Sequence, residues 1–240
     1  MARKRKTVQP QKSHKKTTRN KPSSFDKAAA AQRVTLIWPL LRKAYPDAKI
    51  ALNFSNPVEL LVATILSAQC TDVRVNLVTK DLFQKYRSAA DWARADQTEI
   101  EEDIRSTGFF RNKAQNIKGA CTIIDEEYGG QVPQTMEELT ALPGVGRKTA
   151  NVLLGNAFDV PGIVCDTHVI RLSRRLELSD NSDPVKLEFD LADIVPKRRW
   201  TLFSHLLIFH GRNCCKARKP GCPECPIAKH CPAAGKPEKW

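Results

Sequence analysis

The chain has 240 residues, of which 39 are basic and 26 acidic, for a formal net charge of +13. This length supports one large or two modest domains with real cores and no need of disulfides. The longest apolar run, around Leu60 to Leu66, is too short to span a bilayer and is broken by Thr64, which excludes a membrane-spanning helix. The basic excess points to nucleic acid as the commonest partner, although a basic tail can also sit on an anionic membrane or stay solvated. No apolar secretion core stands at the N-terminus, so the expected setting is the cytoplasm, nucleoid-associated in a bacterium, or the nucleus, where free thiols are the default.

Nine basic side chains and no acid lie between Arg3 and Lys21, so 13 less nine leaves only +4 on the rest. Residues 1–24 combine like charge with low hydrophobicity and are expected to be disordered, either a solvated tail or a nonspecific phosphate attractor. From Phe25 onward the apolar spacing is helical and no stretch alternates as a strand does, so the class is all-α. Val34, Ile37, Leu40, Leu41 and Ala44 form one apolar stripe, which Pro39 should bend or begin. Asn56-Pro57 opens the next helix, and Thr71 or Asp72 caps the one after it.

Short helices are predicted around Trp92 and Ile100, then a turn at Thr107-Gly108-Phe109-Phe110. A long helix carrying Ala114, Ile117, Ala120, Cys121 and Ile124 ends at Gly129-Gly130. Three further helical patterns cover Val169 to Leu176, Pro184 to Val195 and Trp200 to Phe209.

Between two of these helices runs LPGVGRKTANVLL, from Leu142 to Leu154. Two glycines in a tight turn permit positive φ and close backbone approach, so amides at the new helix start can face a phosphate. A plain αα-hairpin is the alternative. Arg147 and Lys148 directly after the turn favour an anion.

LPGVGRKTANVLL resembles the helix-hairpin-helix signature of the endonuclease III family of DNA glycosylases. CDTHVIRLSRRL resembles that family's catalytic aspartate segment, and LNFSNPVELLVATILSAQCTD extends the similarity from about Leu52 to the last cysteine. The resemblance implies a hairpin at about 139–154 whose Gly144, Val145, Gly146 and Arg147 contact DNA. It also implies a two-lobed fold. Residues 50–160 would form a six-helix barrel, and 25–49 would join 161–240 in an iron-sulfur lobe.

Lys148 attacks a sugar carbon only as a neutral amine, whereas an unperturbed lysine titrates at about 10.4. Desolvation and a helix N-terminus both disfavour the charged form. A Schiff base at this lysine would then permit β-elimination of the strand. The resemblance places the catalytic carboxylate at Asp166, able to stabilise positive charge at the sugar as the base leaves and to shuttle protons. An aspartate before Thr167-His168 also serves as a helix cap; His168 is read as structural.

A base inside a duplex must leave the stack, and something must fill the gap. Gln69 matches the family's inserted glutamine, with donor and acceptor for the widowed partner base. Phe109 aligns with its second wedge, where the family's best-known member has an aliphatic residue. Phe109 or Phe110 as plain core is the alternative. Asp72 lies at a position the family associates with pocket and strand contacts, and Arg111 and Lys113 are expected phosphate contacts.

Four of the eight cysteines form Cys215-x6-Cys222-x2-Cys225-x5-Cys231. Four thiolates hold zinc or an iron-sulfur cluster, and spacing alone does not choose. Similarity to the family's terminal motif, with His210-Gly211-Arg212 before it, implies a [4Fe-4S] cluster. Cys214 stands outside the spacing. Lys216, Arg218 and Lys219 lie between the first two ligands and would face DNA phosphates.

The expected function is base-excision repair by a monomer acting on duplex DNA: removal of oxidised pyrimidines, then cleavage of the AP site by β-elimination. Two alternatives remain at this stage. A mismatch adenine glycosylase shares hairpin and cluster, but Lys148 and the SAQCTD segment stand against it, as do the nine residues after Cys231, too few for its usual extra domain. A noncatalytic iron-sulfur DNA-binding protein would need neither Lys148 nor Asp166.

Overall fold

In the computed structural model residues 25–239 are described, so the basic stretch 1–24 lies outside the described residues. Asp26 accepts a hydrogen bond from the Ala29 amide at 3.0 Å and starts α1 (Lys27–Ala44). Pro39 neither begins nor ends that helix but lies inside it. Its missing N–H leaves the Thr35 carbonyl without an intrahelical donor. Buried Ile37 and Leu41 on either side keep the helix seated.

The Asn56 side chain accepts from the Glu59 amide at 3.0 Å and opens α2 (Pro57–Leu66), with proline at its first position as expected. Leu60, Leu61, Val62, Ala63, Ile65 and Leu66 are all buried, so this helix is apolar nearly all round and has protein on every side. Each large aliphatic side chain buried there contributes about 1.5–3 kcal/mol. Around it stand α3 (Asp72–Lys85), capped by Thr71 rather than Asp72, the short α4 (Ala89–Arg94) and α5 (Gln97–Asp103), α6 (Phe110–Tyr128), α7 (Met136–Ala141) and α8 (Arg147–Ala157). Of these, α3, α6 and α8 pack directly on α2.

The chain then runs through α9 (Thr167–Arg175), α10 (Pro184–Ile194) and α11 (Trp200–Asn213) to a C-terminal region of 3-10 turns. The last helix extends past the predicted end at Phe209 and so carries His210, Gly211 and Arg212. Among the described residues there is no strand, and no helix is long and apolar enough to cross a membrane.

Buried residues fall into two cores. One runs from Leu52 to Val164; the other joins Ala30, Val34, Ile37, Leu41 and Ala48 to residues from Ile163 to Ile227. Between the cores the chain alternates: Val164 points into the first, while Ile163 and Cys165 point into the second. This stretch is held to α11, whose Ser204 hydroxyl accepts from the Val164 amide at 3.0 Å. Asp166 comes next, at the seam.

Candidate active site

A cleft cavity of about 290 Å³ opens at that seam, and its walls bring together Lys148, Asp166, Gln69 and Asp72. Four elements deliver them: the first turn of α8, the N-cap of α9, the loop after α2 and the first turn of α3. Asp166 both caps and lines: its Oδ1 accepts from the Val169 amide at 2.8 Å, leaving the second carboxylate oxygen to the cleft. Lys148 is exposed in the protein alone. The desolvation expected around its amine is therefore not supplied by the fold and has to come from whatever closes the cleft.

The hairpin glycines differ. Gly144 has φ +73°, and a Cβ there would lie 2.7 Å from Asn116 Cβ, so the fold itself requires glycine. Gly146, the N-cap of α8, has φ −88°, and a Cβ would meet nothing within 4 Å. Of the two glycines, only Gly144 uses positive φ. No side chain caps α8, which leaves its first amides open to an anion.

Three residues expected to contact DNA are engaged within the protein. Val145 is buried in the first core at 5 % exposure, and its amide donates to the Leu142 carbonyl at 3.1 Å, so neither group faces outward. Arg147 grips Glu188 on α10 through two hydrogen bonds of 2.9 and 2.7 Å and lies 4.9 Å above the Phe189 ring. It braces the hairpin against α10. Lys113 is 4 % exposed, with Nζ donating at 2.8 Å to the carbonyls of both Leu66 and Thr107. A buried ammonium with two fixed acceptors is no surface phosphate contact, and burial pushes its pKa down.

Phe109 stands 64 % exposed on the turn before α6, outside the residues lining the cleft cavity, while Phe110 is half-buried. Phe109 has φ +50° and Gln69, also exposed, φ +53°, a left-handed conformation uncommon for any residue but glycine. Arg111 is exposed, 3.9 Å from Glu101.

Sequence reasoning missed several neighbours. Arg212 pairs with Asp72 at 2.7 Å across the mouth of the cleft; the extra turn of α11 that carries it lies beyond the apolar pattern. His205 lines the cleft and its Nε2 donates to Asn156 Oδ1 at 2.8 Å; burial pushes its pKa down to about 4, which keeps the ring neutral at pH 7. Glu188 is brought beside Cys165, where burial first and then Glu188 and Asp166 push the thiol up to about 12.

The C-terminal cysteines 215, 222, 225 and 231 line one small cavity together with Cys214 and His210. Cys214, which the spacing leaves out, has its sulfur within 4.8 Å of Cys225 Sγ and a His210 ring nitrogen. Arg175 donates to Cys215 Sγ at 3.2 Å and to the carbonyls of Lys216 and Ala217 at 2.8 and 2.7 Å. Arg171 holds the Cys215 carbonyl at 3.1 Å. Lys216, Arg218 and Lys219 stay exposed on the loop so fastened. A lining of five cysteine sulfurs, with His210 and the Arg175 guanidinium beside them, suits a thiolate-bound iron-sulfur group better than a hard cation.

The family model described as HhH-GPD superfamily base excision DNA repair protein matches residues 62–197. Endonuclease III of Synechocystis sp. (strain ATCC 27184 / PCC 6803 / Kazusa) is 56% identical over 208 residues, covering 86% of this chain and 95% of its own. The chain belongs to the endonuclease III family. Among solved structures, a non-covalent endonuclease III-DNA complex aligns with TM-score 0.82 and 45% identity over 88% of this chain and 99% of that one. A trapped endonuclease III-DNA covalent intermediate aligns with TM-score 0.81 and 46% identity over 86% and 97%. The protein is thus a base-excision repair enzyme, a DNA glycosylase and AP lyase with the two-lobed all-α fold of endonuclease III. This assignment does not favour the mismatch adenine or noncatalytic readings. Endonuclease III relatives carry the suggestion of a metal cluster to this chain, and the cysteine cavity is where a cluster would sit.

Proposed function

We propose that the enzyme removes oxidised pyrimidines from duplex DNA with Lys148 as nucleophile and Asp166 as its carboxylate partner. The supporting observation is the cleft itself, which places Lys148, Asp166 and Gln69 on one cavity beside a helix start with no capping side chain. Duplex DNA laid across the seam meets the open amides of α8 at Gly146 and covers Lys148, supplying the desolvation that the free protein lacks.

The neutral Lys148 amine then donates its lone pair to C1′. The bond from C1′ to the base breaks, and the base leaves with that electron pair and takes up a proton. After the lysine nitrogen loses a proton, its lone pair forms the C1′=N bond of a Schiff base as the C1′–O4′ bond breaks, and O4′ takes up a proton. Removal of a C2′ proton next sends electrons toward C3′ and expels the 3′ phosphate. Asp166 stabilises positive charge at C1′ during the first step and accepts protons afterwards. Gln69 fills the space left by the extruded nucleotide and Phe109 wedges the neighbouring step.

The two cores support a division into a barrel lobe, 50–160, and a second lobe joining 25–49 to 161–240. In the second lobe Cys215, Cys222, Cys225 and Cys231 would hold a [4Fe-4S] cluster, consistent with their sulfur-lined cavity. With Cys215 and Cys222 tied at its two ends, the basic loop would present Lys216, Arg218 and Lys219 to phosphates.

Borohydride trapping on a duplex carrying thymine glycol tests the central step. Lys148→Ala is expected to lose the covalent adduct entirely, and an adduct that survives would move the nucleophile elsewhere.

A further inference from the structure

Gln69 and Phe109 sit on loops whose anchoring is not local. Gln69 follows the C-terminal end of α2, and Phe109 follows the 3-10 turn Arg105–Thr107. Each loop ends its parent helix with a carbonyl pointing inward, Leu66 O in one and Thr107 O in the other. Lys113 Nζ donates to both, at 2.8 Å each, while its main-chain N–H donates to the Phe109 carbonyl at 3.1 Å.

Nothing about α6 by itself favours a lysine at this place. It lies in the first turn, where the helix dipole disfavours a cation, and it is buried at 4 % exposure. What compensates is the negative end of α2 directly opposite, with its unpaired terminal carbonyl. The cation therefore has a favourable place only by joining the two loops.

We propose that Lys113 is a positioning residue, a single clamp that sets the Gln69 and Phe109 loops in fixed register so that both side chains enter the duplex together. The proposal rests on the wedge reading of those two residues. It implies that Lys113 matters when a base must be taken out of a stack and little when no stack has to be opened.

The test uses full-length, cluster-containing protein and four variants: Lys113→Met, Lys113→Gln, Gln69→Ala and Phe109→Ala. Single-turnover excision is measured on a thymine glycol duplex with 2-aminopurine beside the lesion, and strand cleavage on a single-stranded oligonucleotide with an AP site. Methionine removes all donors, and glutamine is one atom too short to reach both carbonyls. Either is expected to slow duplex excision at least tenfold and to reduce the 2-aminopurine fluorescence rise, with single-strand cleavage changed less than threefold.

A duplex-to-single-strand ratio equal to wild type in either folded Lys113 variant overturns the clamp while Gln69→Ala and Phe109→Ala remain slow on duplex. Equal losses on both substrates also overturn it, as does failure of both variants to fold, which would make Lys113 a folding requirement. Normal duplex rates in Gln69→Ala and Phe109→Ala would instead sink the wedge reading itself, and the clamp with it.

Discussion

The loops that carry Gln69 and Phe109 and the basic loop among the cysteines are built in opposite ways. On the barrel side, the loops carrying Gln69 and Phe109 hold exposed side chains on left-handed backbone, at φ +53° and +50°, and are fastened by one buried lysine. On the cysteine side, the loop carrying Lys216, Arg218 and Lys219 is fastened from beneath by Arg171 and Arg175. A left-handed non-glycine residue costs roughly 1–2 kcal/mol. In the proposed function the first side bears that cost to aim two particular side chains, whereas the other side fixes only where positive charge stands. One surface reads as a tool for opening the stack and the other as a rail for the backbone.

The sharpest break of this comparison lies at the seam. Asp166→Asn keeps a good helix cap, since asparagine caps as well as aspartate, but removes the negative charge. Excision is expected to fall by about a hundredfold with duplex affinity nearly unchanged in single-turnover and gel-shift assays. A normal rate would reduce Asp166 to the cap seen in the structure.

Next in size, Gln69→Gly relieves the backbone and removes the tool. Excision should drop about tenfold while the denaturant midpoint stays level or rises, by up to about 1 kcal/mol of stability. A destabilised protein would mean that the left-handed turn depends on the glutamine side chain.

Smallest is Lys216→Ala on the rail. Affinity should weaken only a few-fold, and the slope of log affinity against log salt should flatten by about 0.9, with the single-turnover rate of bound enzyme unaffected. A changed rate with an unchanged slope would erase the contrast between the two sides.

The helices were largely legible because an apolar stripe at 3.6-residue spacing is what burial requires, and α2 to α6 follow it. The pattern ran out where packing is not apolar. The last turn of α11 carries Arg212 into the cleft after the stripe ends, and the Arg147–Glu188 pair joins residues 41 apart for which no local rule exists. Lys113 left a signal that went unused. It stands four residues before Ile117 and so falls on the buried face of α6, which is a strange address for a phosphate ligand. Gln69 and Phe109 were named through resemblance, but their left-handed backbone was invisible, because only glycine announces that conformation in a sequence.

One consequence concerns chain length. Surface connections usually tolerate insertions, but at Ile163, Val164 and Cys165 successive side chains belong to different cores. Adding a single residue there would exchange the two sets, exposing each apolar group to the wrong neighbours, and would turn Asp166 away from Lys148. The spacing between Lys148 and Asp166 is therefore counted in whole residues, and this short connection is as intolerant of a change in length as the middle of a strand.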